Sequence, residues 1–389
     1  MSRRKTLSTS ETQKTSLLPQ VTKLTVWHNS TLVGTMALTS QKLAAFEYDA
    51  TWLQQGFSIS PLSLPLQNRV FIPKEEPFDG LFGVFQDSLP DGWGALLLDR
   101  KLREMGIDPS YVGPMTRLAI VGSSGRGALK YKPEIVLEGT DSYSPDLDVL
   151  ASLCNNILNN LTSQDLDIAY TFGGSSGGAR PKAYVKNNEG IWLIKFPSSY
   201  DMPDIGLIEY RYAECAKSCG IDLPQTKLFP SKLCSGYFGT QRFDRDKNGA
   251  GIHMVSASGM LEVSHRQPVL DYRHLFQLCN KLSFDTEQLL KLYRLMCFNV
   301  FAHNQDDHSN NFSWLYKDGT WQLSPAYDLT YSTSFGNEHT TTVNGKGNPT
   351  LDDILLFAEE IGLPKRISAK IAHETQAACH NLLHELNLP

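Results

Sequence analysis

No stretch of the 389-residue chain approaches the roughly 18 uninterrupted apolar residues that a membrane-spanning helix requires, so a soluble protein without membrane contact is predicted. Charge of one sign is also lacking. Lys and Arg number 36 against 41 Asp and Glu, a formal net charge of -5, so no global basic field points to nucleic acid or an anionic membrane. Paired cysteine spacings are missing as well. The seven cysteines (154, 215, 219, 234, 279, 297 and 379) are odd in number and include no Cys-x-x-Cys, which argues against a disulfide framework or a thiolate zinc site. Cys215 and Cys219, four apart, share a helix face and read as buried thiols, consistent with a reducing cytoplasm. No apolar segment follows Arg3, Arg4 and Lys5, so the Ser/Thr-rich first twenty residues are not a secretory leader and are expected to be a disordered tail. Neither the dinucleotide fingerprint nor the P-loop spacing occurs, and no internal repeat is visible.

What is present suits two or three packed subdomains of an α+β protein. Residues 21–140 read as a small α+β unit. It opens with two strand-like runs flanking His28-Asn29-Ser30 and contains the turn Pro90-Asp91-Gly92 before a helix over 93–105. It ends in the Gly-rich stretch 122–127 and a strand near 129–136. A polar joint over 140–165 leads to a second mixed unit, 166–250: glycine turn, strand, turn, strand, helix, more strand. The remainder, 251–389, is expected to be mainly helical. Asp285 and Gln288 resemble a capping box for a helix, apolar on nearly every face, that runs from Leu289 to Phe301.

That buried helix delivers the chain into its most polar stretch, His303-Asn304-Gln305-Asp306-Asp307-His308-Ser309-Asn310-Asn311-Phe312-Ser313, and Asp328 follows a strand-like run and Pro325. Phosphoryl transfer from ATP needs hard oxygen ligands for Mg²⁺ and one carboxylate aimed at the incoming hydroxyl. Asp306 would be that base or orienter, with Asn311 and Asp328 as metal ligands. Two alternatives remain open on the residues alone: a capped polar surface loop, and a metal-dependent hydrolase built on His303, Asp306 and His308.

Upstream, FGGSSGGARPK (172–182) forms a flexible turn in which the backbone N–H groups of Gly174, Ser175, Ser176, Gly177 and Gly178 can approach a phosphate. An ordinary hairpin turn would look the same. Lys195 lies in the apolar run Ile191-Trp192-Leu193-Ile194-Lys195-Phe196-Pro197, and a lysine pointing inward from a strand needs an anion, whereas one on an edge strand would simply face water. Glu209 opens a helical stretch from which it could pair with Lys195. Gln241-Arg242-Phe243-Asp244-Arg245 closes the strand-rich region, where a kinase places the hinge against adenine. Each piece is ambiguous alone; the order of the set carries the reading.

Ser175-Ser176-Gly177-Gly178-Ala179-Arg180-Pro181-Lys182, the Leu-Ile-Lys195-Phe-Pro strand, Glu209-Tyr210, Arg242-Phe243-Asp244-Arg245, Asp306-x-His308-x-x-Asn311-Phe-Ser and Pro325-x-Tyr-Asp328 together resemble the HipA family. FDGLFGVFQDSLPDGWG resembles the family's amino-terminal subdomain, so the likeness covers roughly residues 20–360. The resemblance implies an atypical two-lobed protein-kinase-like fold with an N-terminal α+β subdomain and a mainly helical C-terminal lobe. It implies a serine/threonine protein kinase using ATP and Mg²⁺, the toxin of a toxin–antitoxin pair. By position, Lys195 would contact ATP phosphates with the 174–178 loop and His308 nearby, Gln241 and Phe243 would face adenine, Asp306 would be the base, and Asn311 and Asp328 would bind Mg²⁺. Ser175 matches a serine whose autophosphorylation silences the enzyme. Implied partners are a protein substrate such as an aminoacyl-tRNA synthetase and a small helix-turn-helix antitoxin of HipB type, with DNA contact only indirect through the latter. A small-molecule or lipid kinase, or a non-catalytic repressor partner of the same fold, is the alternative. Gln241 stands where Glu is frequent, and His253-Met254-Val255-Ser256-Ala257 lacks an acidic pair some relatives show.

Overall fold

The computed structural model describes residues 18–137, 146–159, 164–198 and 201–388. Residues 1–17 of the expected tail, 138–139 at the end of the first expected unit, and 140–145 and 160–163 of the expected joint lie outside the described residues. The architecture is α+β, with three antiparallel sheets and a helical C-terminal region.

The first sheet contains β1 (Lys23–His28), β2 (Thr31–Leu38), β3 (Ala44–Tyr48), β4 (Val70–Phe71) and β5 (Leu129–Lys132) in the order β4-β3-β2-β1-β5. Leu24 and Val26 of β1 alternate into the core, as the two-residue period of a strand demands. Asn29 turns the first hairpin with φ 53°, a left-handed conformation that Asn tolerates. The helix expected over 93–105 is observed over Gly92–Glu104.

The second sheet is β6 (Lys182–Asn187), β7 (Gly190–Lys195), β8 (Thr226–Phe229) and β9 (Tyr237–Gln241), ordered β6-β7-β9-β8. Strand parity divides its side chains. Ala183, Trp192, Ile194 and Tyr237 enter a hydrophobic core, while Lys182, Tyr184, Leu193, Lys195, Phe238 and Thr240 line a cavity on the opposite face. Helix Ile205–Ser218 connects β7 to β8.

The third sheet is β10 (His253–Ser256), β11 (Ser313–Lys317) and β12 (Thr320–Leu323), in that order. Helices Tyr272–Ser283 and Thr286–Phe301 pack on its β12 strand, Lys365–Glu385 packs on Thr286–Phe301, and Leu351–Glu360 packs on Lys365–Glu385. The Thr286–Phe301 helix is buried over Leu292, Tyr293 and Leu295 to Val300, as its composition predicts. Its cap differs from expectation. Asp285 accepts the Glu287 N–H, but the Gln288 side-chain oxygen accepts the Leu323 N–H at 2.9 Å, so Gln288 ties the helix to β12. Among the described residues no helix is long and apolar enough to cross a membrane.

Candidate active site

A cavity of about 460 Å³ opens where the second sheet faces the 303–329 segment. Its wall starts with the cross-strand pair Lys182 and Lys195, whose parity turns both side chains into it. Lys195 is 7% exposed, and its Nζ donates to Glu209 and, at 2.5 Å, to Asp328 Oδ1. The pairing of a strand lysine with a helix glutamate is therefore present. Glu209 comes from helix Ile205–Ser218, which approaches the sheet closely because Gly206 has no side chain; a Cβ there would lie 2.2 Å from the Gly236 carbonyl oxygen.

Burial alone would pull the Lys195 ammonium down, but the charges of Asp328 and Glu209 outweigh it and leave the group raised. Asp328 is held well below the usual carboxylate range, first by Lys195, against the effect of its burial. Glu209 is pushed up by desolvation despite Lys195. Asp328 is thus the anion most firmly ionised beside the ammonium. Its backbone is left-handed, φ 58°, an uncommon conformation of the kind that clusters at functional sites.

Opposite the lysines, Asp306, His308 and Asn311 line the same cavity. Their loop is pinned from beneath by Asp307, which is fully buried. Its carboxylate accepts from the Tyr272 hydroxyl at 3.0 Å and the Thr341 N–H at 3.1 Å, and His339 Nδ1 lies 3.2 Å away. Asp306 exposes its carboxyl at the mouth of the cleft. The surrounding walls desolvate it and raise its pKa; His308 opposes that shift, and the nearby Asp328 and Asp307 charges add to it. Asn311 Nδ2 donates to the Asp306 carbonyl oxygen at 2.7 Å, which leaves the amide oxygen available as a hard ligand. His308 Nδ1 accepts the Asn310 N–H at 3.2 Å, and its Nε2 is 3.8 Å from Asp306. The hydrolase set of His303, Asp306 and His308 does not assemble. The ring of His303 lies against Tyr331, and among the described residues these three do not gather their ligand atoms.

The glycine run divides. Gly177 and Gly178 line the cavity, whereas Gly174, Ser175 and Ser176 do not. Ser176 is fully buried, its hydroxyl donating to the Gly173 carbonyl at 2.6 Å, while Ser175 is half-buried. Gln241 and Phe243 both line the cavity. Gln241 turns its amide away, donating to the Glu189 carbonyl at 2.5 Å, and the Phe243 ring lies 5.6 Å from that of Tyr327.

Three cavity residues carried no role in the sequence reading. Lys182 is 5% exposed and donates to the Gly177 carbonyl at 2.6 Å. Asp91, in the Pro-Asp-Gly turn, accepts the Gly178 N–H. Arg126, from the Gly-rich stretch 122–127, reaches the cavity with its Nε donating to the Asp87 carbonyl at 3.3 Å. The Gly-rich setting of Arg126 and the turn containing Asp91 were both visible, but their approach to the cleft depends on chain folding across more than 80 residues.

The fold and the cleft define a mixed α+β protein whose sheet and helical region meet at a cavity built on a lysine–carboxylate cluster. The HipA-like C-terminal domain family matches residues 174–382 and the HipA N-terminal domain family matches 24–132. The chain belongs to the HipA family. Among solved structures, a chain from the Shewanella oneidensis MR-1 toxin antitoxin system complex of HipA, HipB and operator DNA superposes with a TM-score of 0.69 at 17% identity, covering 94% of this chain and 91% of that one. That likeness establishes a HipA-like fold. The Helicobacter pylori proinflammatory kinase CtkA gives a TM-score of 0.37 at 16% identity, over 54% of this chain and 94% of its own, too distant to carry an argument. No curated protein matches the chain.

Proposed function

We propose that this chain is an ATP- and Mg²⁺-dependent serine/threonine protein kinase and the toxin of a toxin–antitoxin pair. The supporting observation is the Lys195–Glu209–Asp328 cluster facing Asp306 and Asn311 across one cleft. Lys195 and Lys182 are buried cations suited to a polyphosphate, and the Gly177–Gly178 backbone runs beside them. Phe243 and the backbone at Gln241 border the space for adenine. The Asn311 amide oxygen and the Asp328 carboxylate form a hard-oxygen donor set that fits magnesium. Magnesium bound there would neutralise phosphate charge. Asp306, raised but at the cleft mouth, orients an incoming hydroxyl and accepts its proton. Ser175 is the better candidate for autophosphorylation than Ser176, whose hydroxyl is buried and already donating. The fold likeness to the Shewanella complex favours a HipB-type antitoxin as partner. A translation protein such as an aminoacyl-tRNA synthetase is the target that the family resemblance suggests.

Incubation with Mg-ATP followed by intact mass and peptide mapping should show one added phosphoryl group, at Ser175. Asp306→Asn should lower the rate by about 10²- to 10⁴-fold while ATP binding persists. Full activity in that variant would remove Asp306 from its role, and absence of both phosphorylation and ATP binding would end the kinase reading.

A further inference from the structure

Helix Ile205–Ser218 offers Glu209 to the cleft and packs elsewhere on the C-terminal helix Lys365–Glu385. At that second contact Cys215 and Cys219, one turn apart, meet Cys379, and the three Sγ atoms all lie within 4.8 Å of one another. All three are free thiols; Cys219 and Cys379 are buried and Cys215 is half-buried. None of the three lines the phosphoryl-transfer cleft, so the cluster supplies no group to the activity proposed above.

Against the expectation from cysteine spacing, which cannot show a third sulfur arriving from a distant helix, we propose that Cys215, Cys219 and Cys379 form a binding site for a thiophilic d¹⁰ divalent cation, Zn²⁺ being the natural candidate, which clips the Glu209-bearing helix to the C-terminal helix. Three sulfurs bound to zinc at about 2.3 Å sit roughly 4 Å apart, so the cluster needs only small side-chain rotations to close around an ion. The spacing Cys-x-x-x-Cys places two ligands on one helix face, and the third arrives from a different helix, which gives the trigonal base of a tetrahedron. Binding is acid–base and not redox: the cation replaces three thiol protons, which leave to the buffer, and the site then carries a single negative charge. Arg294, whose Nη1 donates to the Cys219 carbonyl at 2.7 Å, stands beside that charge. The hydrogen bond from Cys215 Sγ to the Ala378 carbonyl, 3.6 Å long, is weak, and the hydrogen bonds among the three thiols give way to bonds to the ion. The half-buried Cys215 leaves a path for entry. Thiolate donors reject magnesium, so this site and the oxygen ligands of the cleft would not compete for the same ion.

The test uses the full-length chain, kept reduced with a phosphine and free of nucleotide. Cd²⁺ titration should produce a sulfur-to-metal charge-transfer band that saturates at one equivalent, with proton release to a weakly buffered indicator. Zn²⁺ bound first should be displaced stoichiometrically by Cd²⁺, the softer ion. Cys379→Ser, Cys215→Ser and Cys219→Ser should each lose the band and the tight equivalent, whereas Cys234→Ser, outside the cluster, should keep both. Circular dichroism identifies any variant that fails to fold. A folded, reduced wild-type protein giving no thiolate band overturns the proposal whatever the variants do, as does a folded Cys379→Ser that still binds Zn²⁺ as tightly. Neither result depends on kinase activity.

Discussion

Two buried lysines on adjacent strands face one cavity and differ in what holds them. Lys195 has two carboxylates; among the described residues Lys182 has the Gly177 carbonyl as its hydrogen-bond partner, and burial pulls its ammonium down to about 8, with Asp328 resisting and Lys195 adding to the fall. An unfolded lysine holds its proton up to about pH 10.4. Between roughly pH 8 and 10.4 the unfolded chain therefore binds more protons at this position, so its contribution to stability rises with pH across that window and its penalty is complete below it. A polyphosphate placed against Lys182 should restore the ammonium. Calorimetry of ATP binding near pH 9, in buffers of unequal protonation enthalpy, should accordingly show net proton uptake that disappears in Lys182→Met; uptake unchanged in that variant would remove Lys182 from the phosphate site. The sequence alone displayed Lys182 at the end of the glycine run but not its parity with Lys195, which needs the β6–β7 register. It also displayed Asp306 next to Asp307, two identical side chains whose division into cleft acid and buried anchor depends on Tyr272, His339 and Thr341 from distant segments.

At the scale of elements, the 174–181 loop is not free-standing. The Gly178 N–H donates to Asp91, the Trp93 N–H donates to the Gly178 carbonyl at 2.9 Å, and a Cβ on Gly94 would lie 2.2 Å from the Ser176 carbonyl oxygen. The start of helix Gly92–Glu104 thus clamps the loop from outside, through contacts that need glycine on the helix side. The glycine run was legible as a turn because its composition permits little else, whereas the clamp was not, since its two halves are separated by 87 positions. Similarly, the helix over Thr286–Phe301 was plain from composition, but spacing could not show that Gln288 reaches β12 and not its own N-terminus. Removing the acceptor with Asp91→Ala should weaken local closure of the loop by about 0.5–1.5 kcal/mol, the net range for a hydrogen bond that water can partly replace. Hydrogen exchange should speed up at the 176–178 amides and stay unchanged in β7. Equal protection in the variant would mean that the Trp93 contact and the glycine packing suffice.

At the scale of the whole molecule, the N-terminal region shares one apolar core with the C-terminal helices, and an ionic cluster beside the cleft adds polar bonds to that joint. Asp244 accepts from Arg242 Nε at 2.8 Å, Arg242 Nη2 at 2.6 Å, Arg245 Nη1 at 2.9 Å and the Gly127 N–H at 2.8 Å. Arg245 also donates to the Gly127 and Gly125 carbonyls, and Asn29 exchanges two hydrogen bonds with the Gly251 backbone nearby. These contacts fix the stretch that carries Arg126 into the cavity, so the N-terminal region supplies part of the site wall. Composition separated the 21–140 and 166–250 regions but held no signal for bonds between them. Burial would raise the Asp244 carboxyl, yet its hydrogen bonds and the charges of Arg242 and Arg245 win and lower it. A folded pKa below the unfolded value means that this stabilisation is present above about pH 4 and is lost as acid protonates the folded carboxylate. Asp244→Ala leaves two largely buried guanidinium groups without their carboxylate, a change that costs about 3–5 kcal/mol. Urea unfolding followed by tryptophan emission should register that loss, and the acid limb of stability should flatten in the variant. Because the apolar core is continuous between the two regions, Asp244→Ala should keep a single cooperative transition, shifted to lower urea. A variant that unfolds within about 1 kcal/mol of wild type would show that this cluster adds little to the apolar packing that couples the N-terminal sheet to the cleft.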